Sequence, residues 1–239
     1  MGLGKCLSLI VAGSLASGAF VNASVISYNF NRNGDEPFAS TVAAGAVSVT
    51  NWNQATPQAN NPSGTNVALV DDTGASVATT ITYSAGNTWA QGGASADGNV
   101  SVLKGYLDDN NATVTFNNIT YNKYDVYVYG IGDGGAGSTL GTYTINDGVA
   151  PPLTYSYLRA SSLPTDGSGT LIEGNATTQG HYFKISGLTG SSFNLVSDSN
   201  RGNGRGPIAG IQIVQVPEPS SSILIVSFAG AMLLRRRRS

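Results

Sequence analysis

The chain has 239 residues, and only 11% of them are charged, against roughly 25% in ordinary soluble domains. With Lys5, Glu218 and Arg235 to Arg238 set aside as parts of the two ends, seven basic residues face thirteen acidic ones, a net charge of about −6. So acidic a body offers phosphate backbones no footprint and excludes nucleic acid as an expected partner. Its β-branched and aromatic content argues against a disordered chain.

Met1 to Ala23 opens with a single cation, Lys5, followed by an apolar run from Leu7 to about Phe20. It ends in Val21-Asn22-Ala23, a small-x-small cleavage pattern, with Ser17-Gly18-Ala19 as a second cut. This is the pattern of a secretory signal peptide. Cys6, the only cysteine, lies inside it, with too short an apolar run before it for lipid attachment. The mature chain is therefore expected to carry no disulfide.

From Ser24 to Gln215 the hydrophobic period is two. Ile26, Tyr28 and Phe30 share one face of the first run, and Val47 alternates with Val49 around Ser48. Val77, Thr79, Ile81 and Tyr83 line another strand, and Val114 pairs with Phe116. Between Tyr124 and Gly130, Val126 and Val128 point inward while Asp125, Tyr127 and Tyr129 point the other way. Further runs cover Thr142 to Ile145, Leu153 to Leu158, His181 to Ile185, Ser192 to Val196 and Ile208 to Val214. Alternation of this kind marks strands with one buried face. Turns at positive φ are expected at Asn33-Gly34, Asp97-Gly98, Gly132-Asp133-Gly134-Gly135, Asp147-Gly148, Asp166-Gly167 and Gly202-Asn203-Gly204. Asn87 to Gly93 reads as a loop, and Val100 to Tyr106 as either a strand or one helical turn. Ten or more short strands, no repeat and no amphipathic helix give an all-β fold, a single β-sandwich or jelly-roll domain over 24–215.

Catalytic patterns are sparse. His181 is the only histidine, no Gly-x-Ser-x-Gly elbow accompanies it, and it is expected at a sheet surface. The acid pairs Asp71/Asp72 and Asp108/Asp109 are adjacent in sequence, which does not place two carboxyls across a cleft, so solvated turn acids are expected. A calcium site built on them is the minority reading; no cofactor is expected. Gly130 to Gly141 lacks the Gly-Lys-Ser/Thr of a phosphate loop and reads as a long hairpin connection.

The one physical case for a ligand is sugar binding. Trp52 and Trp89 sit in amide-rich, loop-like stretches, NWNQ and NTWAQGG, where an exposed indole and its neighbours would stack on and hydrogen-bond a sugar ring. Tyr127, Tyr129, Tyr155 and Tyr157 would extend that surface, and Arg201 and Arg205 would add donors. The competing reading puts the tryptophans in the core.

The C-terminal stretch, 216–239, holds Pro217-Glu218-Pro219, an apolar run from Ile223 to Leu234 and the cluster Arg235, Arg236, Arg237 and Arg238. The prolines end the last strand, and the run is shorter than the roughly 20 residues of a full span. The arginines hold the far end on the cytoplasmic side. This is expected to be a short hydrophobic anchor helix on the inner membrane.

The tail resembles the PEP-CTERM sorting signal at Pro217, Glu218 and Pro219, at Ile223 to Leu234 and at Arg235 to Arg238. That resemblance implies export, recognition and cleavage by an exosortase, and release or attachment at the surface of a Gram-negative-type cell, often alongside exopolysaccharide. The blocks Val49 to Asn53, Leu69 to Gly74, Leu103 to Asp108, Tyr124 to Tyr129 and Pro207 to Val214 resemble a domain common in exported proteins of Verrucomicrobia and Planctomycetes. The last block is also similar to the closing strand of galactose-binding-like jelly rolls. The expected protein is thus a non-catalytic cell-surface or biofilm-matrix component with a structural or glycan-associated role. A carbohydrate-binding module using exposed loop tryptophans is the alternative, and a polysaccharide-acting enzyme a distant third.

Overall fold

The computed structural model describes residues 23–31, 37–56, 58–91, 97–131, 140–160, 162–164, 169–198 and 206–218. Residues 1–22 of the expected signal peptide, the apolar run and the four terminal arginines lie outside them, as do the expected turns at Asn33, Gly132, Asp166 and Gly202. In chain order the described residues form β1 (Val25–Asn29), β2 (Asn53–Gln54), β3 (Ser63–Val70), β4 (Ser76–Ser84), β5 (Thr88–Ala90) and the helix α1 (Gly98–Lys104). Next come β6 (Gly105–Leu107), β7 (Thr113–Asn117), β8 (Tyr124–Tyr129), β9 (Leu140–Asn146) and β10 (Leu153–Arg159). The last are β11 (Gln179–Gly180), β12 (Tyr182–Leu188), β13 (Phe193–Asp198) and β14 (Gly210–Gln215).

The fold is all-β. Five strands form one sheet in the order β12-β8-β14-β1-β2, and seven form another in the order β11-β10-β9-β13-β7-β4-β3. A separate ribbon joins β5 to β6. Pairing is antiparallel except at β1–β2 and β10–β11. The inner faces of the two sheets meet in one core. Tyr28 of β1 lies 5.8 Å from Tyr83 of β4, and Tyr143 of β9 lies 4.9 Å from Phe183 of β12. Ile26, Val126, Val128, Ile211 and Ile213 from one sheet pack with Ile81, Val114, Phe116, Ile145 and Leu195 from the other. These are the positions the two-residue period assigns inward, and their burial is the main stabilising term.

The outer face of the five-stranded sheet is half covered, which the alternation does not foretell. A second, smaller core gathers Ala44, Trp52, Val102, Leu103, Tyr106 and Tyr129 there. All five residues of β1 are consequently buried. The cover has its own local chemistry. Asp97 caps α1 by accepting from Asn99 N and Val100 N, the usual role of an aspartate at an N-terminus. Asp97-Gly98 is therefore a helix start and not a tight turn; a Cβ on Gly98 would come within 2.4 Å of the Ala43 carbonyl.

Other expectations are corrected here. Val47 belongs to a turn closed by a single bridge between Ala44 and Val49, because its neighbourhood is pinned by Gln212 and Tyr129 and not by a strand. Gly45 takes φ +99° in that turn, and a Cβ on it would lie 2.5 Å from Gln212 Oε1. Asn87 to Gly93 is not all loop, since β5 pairs with β6 across it. Val100 to Tyr106 holds both proposed conformations, helix and then strand. Gly130 to Gly141 is no hairpin: β8 lies in the five-stranded sheet and β9 in the seven-stranded one, so the connection crosses between sheets. The turn at Asp147-Gly148 is as expected, with Gly148 at φ +74°.

Candidate ligand-binding surface

Trp52 is not an exposed indole. It is 4% accessible, its ring lies 5.9 Å from Tyr129 in an edge-to-face contact, and its Nε1–H donates to the Ala44 carbonyl at 3.2 Å. Its amide neighbours are committed as well. Asn51, at φ +56°, donates to Asp72 O at 2.9 Å. Asn53 donates to Ser27 O and Val70 O and accepts from Val70 N, all within 2.9 Å. Gln54 donates to Phe38 O at 2.6 Å and accepts from Phe38 N at 3.1 Å. The residues that read as a sugar platform are the clasp that holds β2 and the covering segment on the sheet.

Trp89 is exposed, at 47%, on the β5–β6 ribbon, so the two tryptophans do not share a surface. Tyr129 is fully buried. Tyr155 stacks on Phe183 at 5.7 Å and packs against the main core, so it faces inward. The Tyr157 side chain, Arg201 and Arg205 lie outside the described residues. Of the sorting residues, Pro217 and Glu218 are described and exposed; Pro219 lies outside the described residues.

His181 is buried, not on a sheet surface, at a bend between β11 and β12. Its Nδ1 accepts the Ile172 amide at 3.0 Å, and its own amide donates to Ile172 O at 2.8 Å. Burial pushes its pKa below the ordinary 6.5, opposed by a backbone hydrogen bond at Ser162. The ring is a neutral latch on the 172 segment. Asp71 accepts from Thr73 N, Thr73 Oγ1 and Ala75 N within its own turn, and Asp72 accepts the Val25 amide at 2.9 Å. Asp109 accepts from Gly86 N at 2.5 Å. Asp108 is buried at 3% and so is no solvated turn acid. Among the described residues no three His, Cys, Asp or Glu side chains gather as a metal-holding group.

A different surface emerges where the cover stops. At the margin of the second core, against which Tyr127 and Tyr182 pack, β8 and β12 run side by side with Lys184 opposite Tyr127 and Tyr182 opposite Tyr129. Among the described residues Tyr127, Tyr182 and Lys184 are only half-buried. The alternation that buries Phe183, Ile185, Val126 and Val128 turns Tyr182, Lys184, Asp125 and Tyr127 outward. Tyr127 and Tyr182 lie with ring centroids 5.8 Å apart at 42°, forming a half-buried aromatic shelf. Lys184 Nζ sits 2.7 Å from Asp125 Oδ2 and 5.3 Å from the Tyr127 ring centre. The Asp125 carboxylate raises the Lys184 pKa above its usual value and keeps the ammonium charged. Burial, with the nearby Glu173 charge, keeps the Tyr182 hydroxyl protonated. The shelf thus carries two tilted, half-buried rings, one cationic donor and one anionic acceptor. Sequence reasoning had Asp125 and Tyr127 outward but could not place Tyr182 and Lys184 beside them, because their pairing joins segments more than fifty residues apart.

The chain matches no protein-family model and no curated protein. Among solved structures it is similar to the protein YxiM from Bacillus subtilis, at 12% identity and TM-score 0.34, over 80% of this chain and 40% of that one. It is also similar to an exo-beta-1,3-galactanase from Phanerochaete chrysosporium, solved with galactose. That match is at 15% identity and TM-score 0.31, over 64% of this chain and 34% of that one.

Proposed function

We propose that this chain is an exported cell-surface or matrix protein, sorted by its C-terminal PEP-CTERM-like signal, whose β-sandwich or jelly-roll body has a non-catalytic, glycan-associated role. The observation that carries the reading is where the sandwich stops. Val216 N donates to Lys123 O at 2.9 Å, and the Pro-Glu-Pro motif starts at the next residue, with Pro217 and Glu218 exposed. Cutting at the motif would remove none of the described strands and no described residue of either core. The leader would take the body across the inner membrane, the apolar run and arginines would hold it there transiently, and an exosortase would process it.

The catalytic side of the reading rests on commitments. His181, Asp71, Asp72 and Asp109 each bind backbone amides of their own surroundings, so these four side chains serve as local staples. Cell fractionation tests the location. Deleting 216–239 is expected to remove the protein from the surface fraction and leave it in the periplasm or medium; an unchanged surface amount would refute the sorting role.

A further inference from the structure

We propose that the outer face of β8 and β12 is a binding site for an uncharged pyranose unit of a polysaccharide, stacked across Tyr127 and Tyr182. This rests on the glycan-associated reading and gives that reading a place and a ligand class. A pyranose has an apolar C–H face and a rim of hydroxyls. Two tyrosine rings 5.8 Å apart on a sheet surface match the first, since aromatic faces attract such C–H bonds without needing a deep pocket. Lys184 and Asp125 match the second. They are 2.7 Å apart, with side-chain exposures of 30% and 15%, so each is held in place yet retains capacity to donate to or accept from a hydroxyl.

Charge decides among occupants. Lys184 is the shelf's cation, and Asp125 already neutralises it, while Glu173 borders Tyr182 through a strand-like bridge. A uronate or phosphate would meet the carboxylates of Asp125 and Glu173 against Lys184 and, at the margin beside Gly187, Lys123, a surface with no net positive charge. A partner strand would find the β12 edge spoiled. Gly174 N donates to Tyr182 O at one end, and a bulge with Gly187 at φ +80° interrupts regular pairing near the other. Both are devices that block edge-to-edge association. A hydroxyl-rich neutral ligand is compatible with every group present.

Affinity electrophoresis of the purified full-length chain provides the test, in gels containing galactan, β-glucan, mannan or xylan, with polygalacturonate as the charged comparison. At least one neutral polysaccharide is expected to retard the protein. Tyr127→Ala and Tyr182→Ala should each weaken retardation about tenfold. Tyr127→Phe and Tyr182→Phe, which keep the ring and guard against misfolding of the alanine variants, should stay within about threefold. Trp89→Ala should change nothing. Retardation that survives both alanine substitutions overturns the shelf and leaves glycan association standing. No retardation by any neutral polysaccharide overturns both. Preference for polygalacturonate overturns the uncharged ligand. Self-association that the alanine variants abolish would assign the face to a second copy instead.

Discussion

A side-chain amide carries the donor and acceptor of a peptide group, and this fold repeatedly uses it as a strand one residue long. Asn53 bonds both the N–H and the C=O of Val70, Gln54 those of Phe38, and Gln58 those of Ser63. Asn53 matters most, because it ties β2 at the edge of one sheet to β3 at the edge of the other. Asn53→Ala removes three hydrogen bonds and strands the Val70 groups. It is expected to cost about 2–3 kcal/mol in urea unfolding, with Asn53→Gln failing to restore the loss. His181 gives a pH signature. Its folded pKa lies below the 6.5 of the free side chain, so around and below that value the unfolded chain binds more protons and stability falls as the pH is lowered. Unfolding free energy is expected to drop from pH 7.5 towards pH 5, and His181→Gln to flatten that segment of the curve. A wild-type curve with the opposite slope there would contradict the neutral latch.

At the scale of elements, what the alternating pattern could reveal depended on burial of one face only. β4 and β7, with buried Ile81, Tyr83, Val114 and Phe116 and less buried threonines between them, read correctly. Trp52 is left open between platform and core for a physical reason: flanking amides look the same whether they face water or serve as backbone surrogates, and its burial bears out the core reading. α1 and β5 were equally obscured, since seven-residue and three-residue elements are too short to display a period, and tertiary packing selects their form. The cover they build can be tested through its tryptophan. Trp52→Ala is expected to destabilise the protein by about 3–5 kcal/mol, whereas Trp89→Ala costs less than about 1 kcal/mol. In single-tryptophan variants, iodide should quench Trp89 and leave Trp52 largely protected. Equal quenching of both would contradict the buried cover.

For the whole molecule, the all-β class is readable from the sequence, because composition and turn residues are local signals; the proposed roles of the two ends rest on residues outside the described ones. The pairing of β8 with β12, and with it the tyrosine shelf, is a long-range property that no local pattern encodes. Among the described residues no helix is long and apolar enough to cross a membrane. The proposed membrane segment is the apolar run Ile223 to Leu234, outside the described residues. The central claim is that the sandwich is the working protein, and that the leader and the stretch beyond the Pro-Glu-Pro motif are addresses removed on the way. The most direct check is the intact mass of the protein recovered from the surface fraction of the cell that makes it. The account predicts a chain that starts at Ser24, or at Phe20 if the second site is cut, and ends close to Pro219. A recovered mass that still includes Ile223 to Ser239 would contradict it.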